Sequence, residues 1–168
     1  DDFCSIYLEI IKPDSSKEIS KEVYLETLTL FENILKILHP YMPFITEELW
    51  HEVDERKEND CLIVADYPAS GSFDSLILKQ FDMVLDVITE IRTIRNTKQI
   101  PLKESLRLNI RTSDSSLFDK YGSIIKKLTN ISEISFVDVK PQSSLSFLVK
   151  TDEFFIPVEG LLDENKEK

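Results

Sequence analysis

Apolar side chains recur every three or four positions through the first hundred residues and every second position after that. The change of period falls at Ile100-Pro101 and divides the chain into a helical part and a mixed one. Phe3, Ile6, Tyr7 and Ile10 form a short stripe that Pro13 ends. Tyr24, Leu28, Phe31, Leu35 and Leu38 form a longer stripe, which predicts a helix from about 18 to 39. The run His39-Pro40-Tyr41-Met42-Pro43 is a corner. Pro40 removes a backbone donor and stops one helix, while Pro43 suits the first turn of the next. Phe44, Ile45, Leu49 and Trp50 are expected to supply core from that third helix, and Thr46, Glu47 and Glu48 to favour its positive start. Glu52 to Asp60 reads as a solvated face and loop, Cys61 to Pro68 as an extended connector, and Ser70-Gly71-Ser72 as a breaker. Ile77, Phe81, Val84, Ile88 and Ile91 then place the longest helix at about 76 to 98.

Beyond Pro101, Leu106, Leu108 and Ile110 alternate with Arg107, Asn109 and Arg111, the pattern of a half-buried strand. Leu117, Tyr121, Ile124 and Leu128 restore helical spacing, and Ile134 to Val139, Leu145 to Val149 and Phe154 to Val158 read as strands. The expected architecture is mainly α: a helical bundle over residues 1–101, then a small α/β subdomain of order β-α-β-β-β over 102–160. The charged residues 161–168 suit the start of a further helix.

Charge sharpens this picture. The chain carries 31 acidic and 20 basic side chains, a formal net charge of −11, which argues against a nucleic-acid binder held by bulk attraction. Yet residues 91–111 hold six basic side chains and one acidic, a local +5. No apolar run reaches the ~20 residues of a membrane span, and Asp1-Asp2 lacks the positive flank of a signal peptide, so a cytoplasmic protein with no membrane partner is expected.

Candidate chemistry is sparse. Cys4 and Cys61 have no Cys or His beside them at ligand spacing, so no metal site is expected and both thiols are read as reduced. His39 and His51, the two histidines, sit near no recognisable nucleophile setting, and no catalytic residue is expected. His39 reads instead as a cap at a helix end. Three glycines, Gly71, Gly122 and Gly160, cannot build a phosphate-cradling loop, so neither nucleotide nor cofactor is expected on this chain. Arg95 lies ~40° round its helix from the core residue Ile91. Two readings follow for it: an ion pair with a bundle carboxylate, or a guanidinium offered with Arg92 to phosphates or base edges, near Asn96, Lys98, Lys103 and Arg107. Aromatic residues on the stripes read as core, but Tyr7, Tyr41 and Trp50 have polar tips that suit a stacking surface.

Four segments carry a family resemblance. They are Phe3-Cys4-Ser5-Ile6-Tyr7-Leu8-Glu9-Ile10-Ile11-Lys12-Pro13, the corner from His39 to Trp50, Ile91-Arg92-Thr93-Ile94-Arg95-Asn96 closing at Ile100-Pro101, and Phe155-Ile156-Pro157-Val158-Glu159-Gly160-Leu161-Leu162-Asp163. In this order they resemble the C-terminal anticodon-binding region of the valyl-tRNA synthetases. The corner is shared with the isoleucyl and leucyl enzymes, whereas the first and last segments are similar to the valyl ones. Ile6 departs from the family, which usually has Trp there. The resemblance implies a non-catalytic, tRNA-reading part of a class I ligase that attaches valine to its tRNA with ATP and Mg. Valine and ATP would bind upstream domains carrying His-Ile-Gly-His and Lys-Met-Ser-Lys-Ser type motifs, which do not occur here. It further implies bundle helices before Asp1, a coiled coil starting near Leu161 and a monomeric parent, and the missing initiator Met agrees with a piece of a longer chain. By the same resemblance Tyr7, Leu8, Arg92, Arg95 and Asn96, with Lys98 beside them, are the candidates for contact with tRNA. Two alternatives come from the composition: a helical protein-interaction module that presents the acidic 1–60 surface to a basic partner, and, less favoured for want of a nucleophile setting, a hydrolase.

Overall fold

The computed structural model describes residues 2–13, 18–57 and 59–157. They fall into two compact units, Asp1–Phe73 and Asp74–Lys168. The first is helical. A π-helical turn, Phe3–Tyr7, runs directly into the short helix α1, Leu8–Ile11. Helix α2, Lys21–Leu38, starts at Ser20, whose hydroxyl accepts the Val23 N–H, and ends against the corner at His39. Helix α3, Pro43–Val53, opens with proline at its first position, where the missing N–H is one of the donors a helix leaves unpaired. A 3-10 turn follows at Leu62–Val64, inside the stretch read as an extended connector.

Trp50 is the centre of this unit. It is 4% exposed and packs with Leu35 and Leu62, flanked by Phe31, Leu49 and Ala65. Its indole N–H donates to the Asp60 carbonyl at 3.0 Å, and the Arg56 guanidinium lies over the ring, 3.4 Å from its centroid. Arg56 also donates to the Trp50 carbonyl at 2.8 Å and pairs with Glu32 on α2. The loop after α3 is thereby tied to both helices. Phe44 and Ile45, expected in the core, are instead 90% and 43% exposed on this unit. The reason is geometric: α3 buries the face of Thr46 and Trp50, one turn apart, and Phe44 lies ~240° round from Trp50.

The second unit joins a long helix to a sheet. Helix α4, Ser75–Thr97, is capped by Asp74, whose carboxylate accepts the N–H groups of Leu76 and Ile77. Then come β1, Leu106–Arg111; α5, Ser116–Thr129; β2, Ile131–Phe136; β3, Ser144–Val149; and β4, Asp152–Pro157. The β-α-β-β-β order is the one the alternation predicted. The strands run β2-β1-β4-β3, with β1 and β2 parallel and the other neighbours antiparallel. Leu106, Leu108 and Ile110 enter one core with Phe154 and Ile156 of β4, Phe118, Tyr121 and Ile125 of α5, and Val84, Val87, Ile88 and Ile91 of α4. So α4 belongs with the sheet, and a boundary drawn at Pro101 from the change of period would part it from the core it builds. The opposite faces of β1 and β2 present Arg107, Asn109, Glu133 and Ser135. Val158 and the residues after it lie outside the described residues, as do the expected helix at 161–168 and the last family segment from Val158 onward. Among the described residues no helix is long and apolar enough to cross a membrane.

Helix α4 ends in a Schellman turn. Ile100 N–H bonds Arg95 O at 2.8 Å and Gln99 N–H bonds Asn96 O at 3.2 Å, with Gln99 at φ 52°. Ile100, the apolar residue that closes this motif, is 7% exposed. A side chain at such a φ is strained, and glycine relieves it. Gln99→Gly is therefore expected to stabilise the chain by about 0.5–1 kcal/mol in urea unfolding followed by circular dichroism.

Candidate nucleic-acid interface

The C-terminal end of α4 holds four of the six sequence candidates. Arg95 is 3% exposed, and four hydrogen bonds leave its guanidinium: Nε to Thr129 O at 3.1 Å, Nη1 to Pro101 O at 3.1 Å, and Nη2 to Glu104 O at 3.0 Å and Asn130 O at 3.1 Å. Two of these carbonyls lie at the end of α5, where helix carbonyls lack partners and the dipole favours a cation. The other two belong to the loop from α4 to β1. Asn130, left-handed at φ 51°, adds a bond from its side-chain amide to Leu102 O at 2.8 Å. Burial pulls the Arg95 pKa below its ordinary value, and Glu104 opposes that shift. Neither sequence reading of Arg95 is what the structure has: the guanidinium meets backbone carbonyls rather than a carboxylate, and it lies in the interior rather than on a surface.

Around this buried centre the other candidates are exposed. Arg92 and Asn96 stand one turn apart on the solvent side of α4, Arg92 donating to Leu128 O at 3.2 Å, and Lys98 caps the helix. Lys103 is exposed on the loop that Arg95 holds. Of the remaining basic island, Arg111 pairs with Glu153, and Arg107 lies on the open face of the sheet. The +5 stretch is thus divided among a buried clamp, a surface cluster at the helix end and a sheet face.

Tyr7 and Leu8 lie in the first unit, both half-buried. Thr27 donates its hydroxyl to Val23 O at 2.6 Å, so the Tyr7 O–H donates to Thr27 Oγ1 at 3.3 Å and ties the N-terminal turn to α2. Phe3 stacks on both Tyr7 and Phe31, at ring-centroid distances of 5.6 and 5.9 Å. Of the other stacking candidates, Tyr41 is 82% exposed, whereas Trp50 is enclosed and covered by Arg56.

The corner is fastened by polar groups. Thr46, 1% exposed, donates to Met42 O at 2.8 Å, so His39 Nδ1 serves as donor to the Thr46 hydroxyl at 2.9 Å. His39 thus locks the turn through its side chain as well as ending α2. Glu47 does not act on the first turn of α3 as expected: both its oxygens accept the Leu62 N–H, at 3.0 and 3.1 Å, and Oε1 lies 3.3 Å from His51 Nε2. Cys61 completes a group that the sequence reading missed, with donor atoms of Glu47, His51 and Cys61 all within 4.8 Å of one another. The Glu47-x-x-x-His51 spacing on one helix face was a visible signal, but the loop that returns Cys61 to that face was not.

With this geometry in place, the class of the chain is settled by its sequence match. Residues 1–110 match the profile described as the anticodon-binding domain of tRNA ligase, and the chain belongs to that family. Its curated relatives narrow the comparison to one amino acid. The valine–tRNA ligase of Christiangramia forsetii is 38% identical over 168 residues, that of Parabacteroides distasonis 41% over 167, and that of Thermotoga maritima 30% over 171. These alignments cover 99–100% of the chain and 19% of each relative, so the chain spans about a fifth of their length.

Removing Arg95 leaves several inward-facing carbonyls without a donor, each costing about 1–3 kcal/mol. Arg95→Ala is expected to destabilise the chain by about 3 kcal/mol or more in urea unfolding, whereas Lys98→Ala changes stability by less than about 0.5 kcal/mol.

Proposed function

We propose that this chain is the part of a valine–tRNA ligase that recognises the anticodon region of its tRNA, and that it takes no part in the chemistry. The observation that carries this reading is the alignment of the whole chain with a fifth of the length of valine–tRNA ligases, together with the family match over residues 1–110. On this reading the activation of valine with ATP and Mg belongs to the rest of the ligase, which works as a monomer in the cytoplasm.

The surface at the end of α4 supports the proposal physically. Unpaired anticodon bases present hydrogen-bond edges, stacking faces and flanking phosphates. Arg92, Asn96 and Lys98, with Lys103 beside them, offer cationic and amide donors on a helix end held by a Schellman turn and by the buried Arg95. Arg95 acts here as a positioning residue, and direct contact falls to the exposed side chains. Tyr7 and Leu8, both half-buried, are assigned to packing in the first unit. The net charge of −11 is tolerable if most phosphate contacts lie elsewhere in the ligase.

A titration of the 168-residue chain with a valine tRNA transcript and an anticodon-swapped transcript tests this reading. Tighter binding of the cognate transcript is expected, with each of Arg92→Ala and Lys98→Ala weakening it by ~1 kcal/mol, and Lys98→Ala also lowering the salt slope. Equal binding of both transcripts, with no effect of either substitution, would remove the assignment.

A further inference from the structure

We propose that Glu47, His51 and Cys61 form a three-donor site for a zinc-type divalent cation, with the fourth position open to the pocket beside them. Glu47 Oε1 and His51 Nε2 are 3.3 Å apart, and the Cys61 sulfur lies within 4.8 Å of the other two donors. With metal–ligand bonds of ~2.0–2.3 Å, tetrahedral geometry puts neighbouring donors ~3.3–3.7 Å apart. One pair already has that spacing, and the sulfur needs to move by no more than ~1.5 Å, the scale of a side-chain adjustment.

The donor set selects the ion. A thiolate, an imidazole and one carboxylate suit zinc, whereas magnesium and calcium require mostly oxygen. The thiolate and carboxylate together balance a divalent charge. On binding, the Cys61 thiol gives its proton to solvent as the sulfur–metal bond forms, so affinity rises with pH.

The supporting bonds point the same way. Glu47 and His51 stand one turn apart on α3, and the Glu47 carboxylate holds the N–H of Leu62, the residue next to Cys61. One carboxylate therefore both supplies a donor and places the segment that carries the sulfur. Beside the three lies an open pocket of about 480 Å³, lined also by His39, Phe44 and Ile63, with room for the ion to enter and for a water to fill its fourth position. A bound ion clamps the 3-10 turn to α3 and closes the loop between them.

The test is a titration of the reduced 168-residue chain with Co²⁺, followed by displacement with Zn²⁺ in a calorimeter. One equivalent is expected to bind, with the visible bands of tetrahedral Co²⁺ and a near-ultraviolet thiolate-to-metal band. Cys61→Ser should abolish that band and weaken Zn²⁺ binding by about 100-fold or more. Glu47→Gln, whose amide oxygen still accepts the Leu62 N–H, should weaken binding while leaving the metal-free far-ultraviolet spectrum unchanged. Cys4→Ser should alter neither band nor affinity. An octahedral Co²⁺ spectrum without the thiolate band overturns the proposal, as does a band that survives Cys61→Ser or disappears in Cys4→Ser.

Discussion

The second unit depends on one buried cation. Arg95 costs desolvation when it leaves water, and four carbonyls in fixed positions offset that cost. The carbonyls come from two places distant in sequence: the end of α5 and the loop that feeds β1. A single guanidinium therefore ties together the end of α4, the loop into the sheet and the end of α5. Arginine suits the role because its five donors fan out in one plane and its charge does not titrate away. A lysine would bring three donors from a single point and could not reach all four carbonyls.

The first unit uses a related device. Arg56 covers Trp50 and pairs with Glu32, while the indole N–H takes the Asp60 carbonyl. In both units an arginine fastens a loop to helices at a point where apolar packing alone would leave backbone groups without partners. The corner repeats the principle with neutral groups, since Thr46 and His39 bond the turn that the two prolines force. These bonds leave little freedom to the backbone at the joints.

On α4, buried and exposed polar side chains alternate within a short stretch. Arg95 faces inward and Arg92, Asn96 and Lys98 face outward, although all four lie within seven residues. Arg95 lies only ~60° round the helix from Arg92 and from Lys98, so its inward turn comes from the carbonyls that receive its guanidinium. Helical geometry gathers Glu47 and His51 on one side of α3, where the returning loop brings Cys61 to them.

Much of this protein was legible in the sequence. The helices, the corner, the β-α-β-β-β order and the family resemblance all follow from period, proline placement and short motifs, because these are local properties of the chain. Three things were decided by tertiary structure alone. Helix α4 joined the sheet because its stripe of Val84, Ile88 and Ile91 found apolar partners there, and periodicity shows that a face is buried without showing against what. Arg95 turned inward because the carbonyls at 101, 104, 129 and 130 converged on it, and no sequence pattern reports where carbonyls point. Cys61 met Glu47 and His51 because a loop bonded to Trp50 turned it back, so a donor separated in sequence became a neighbour in space.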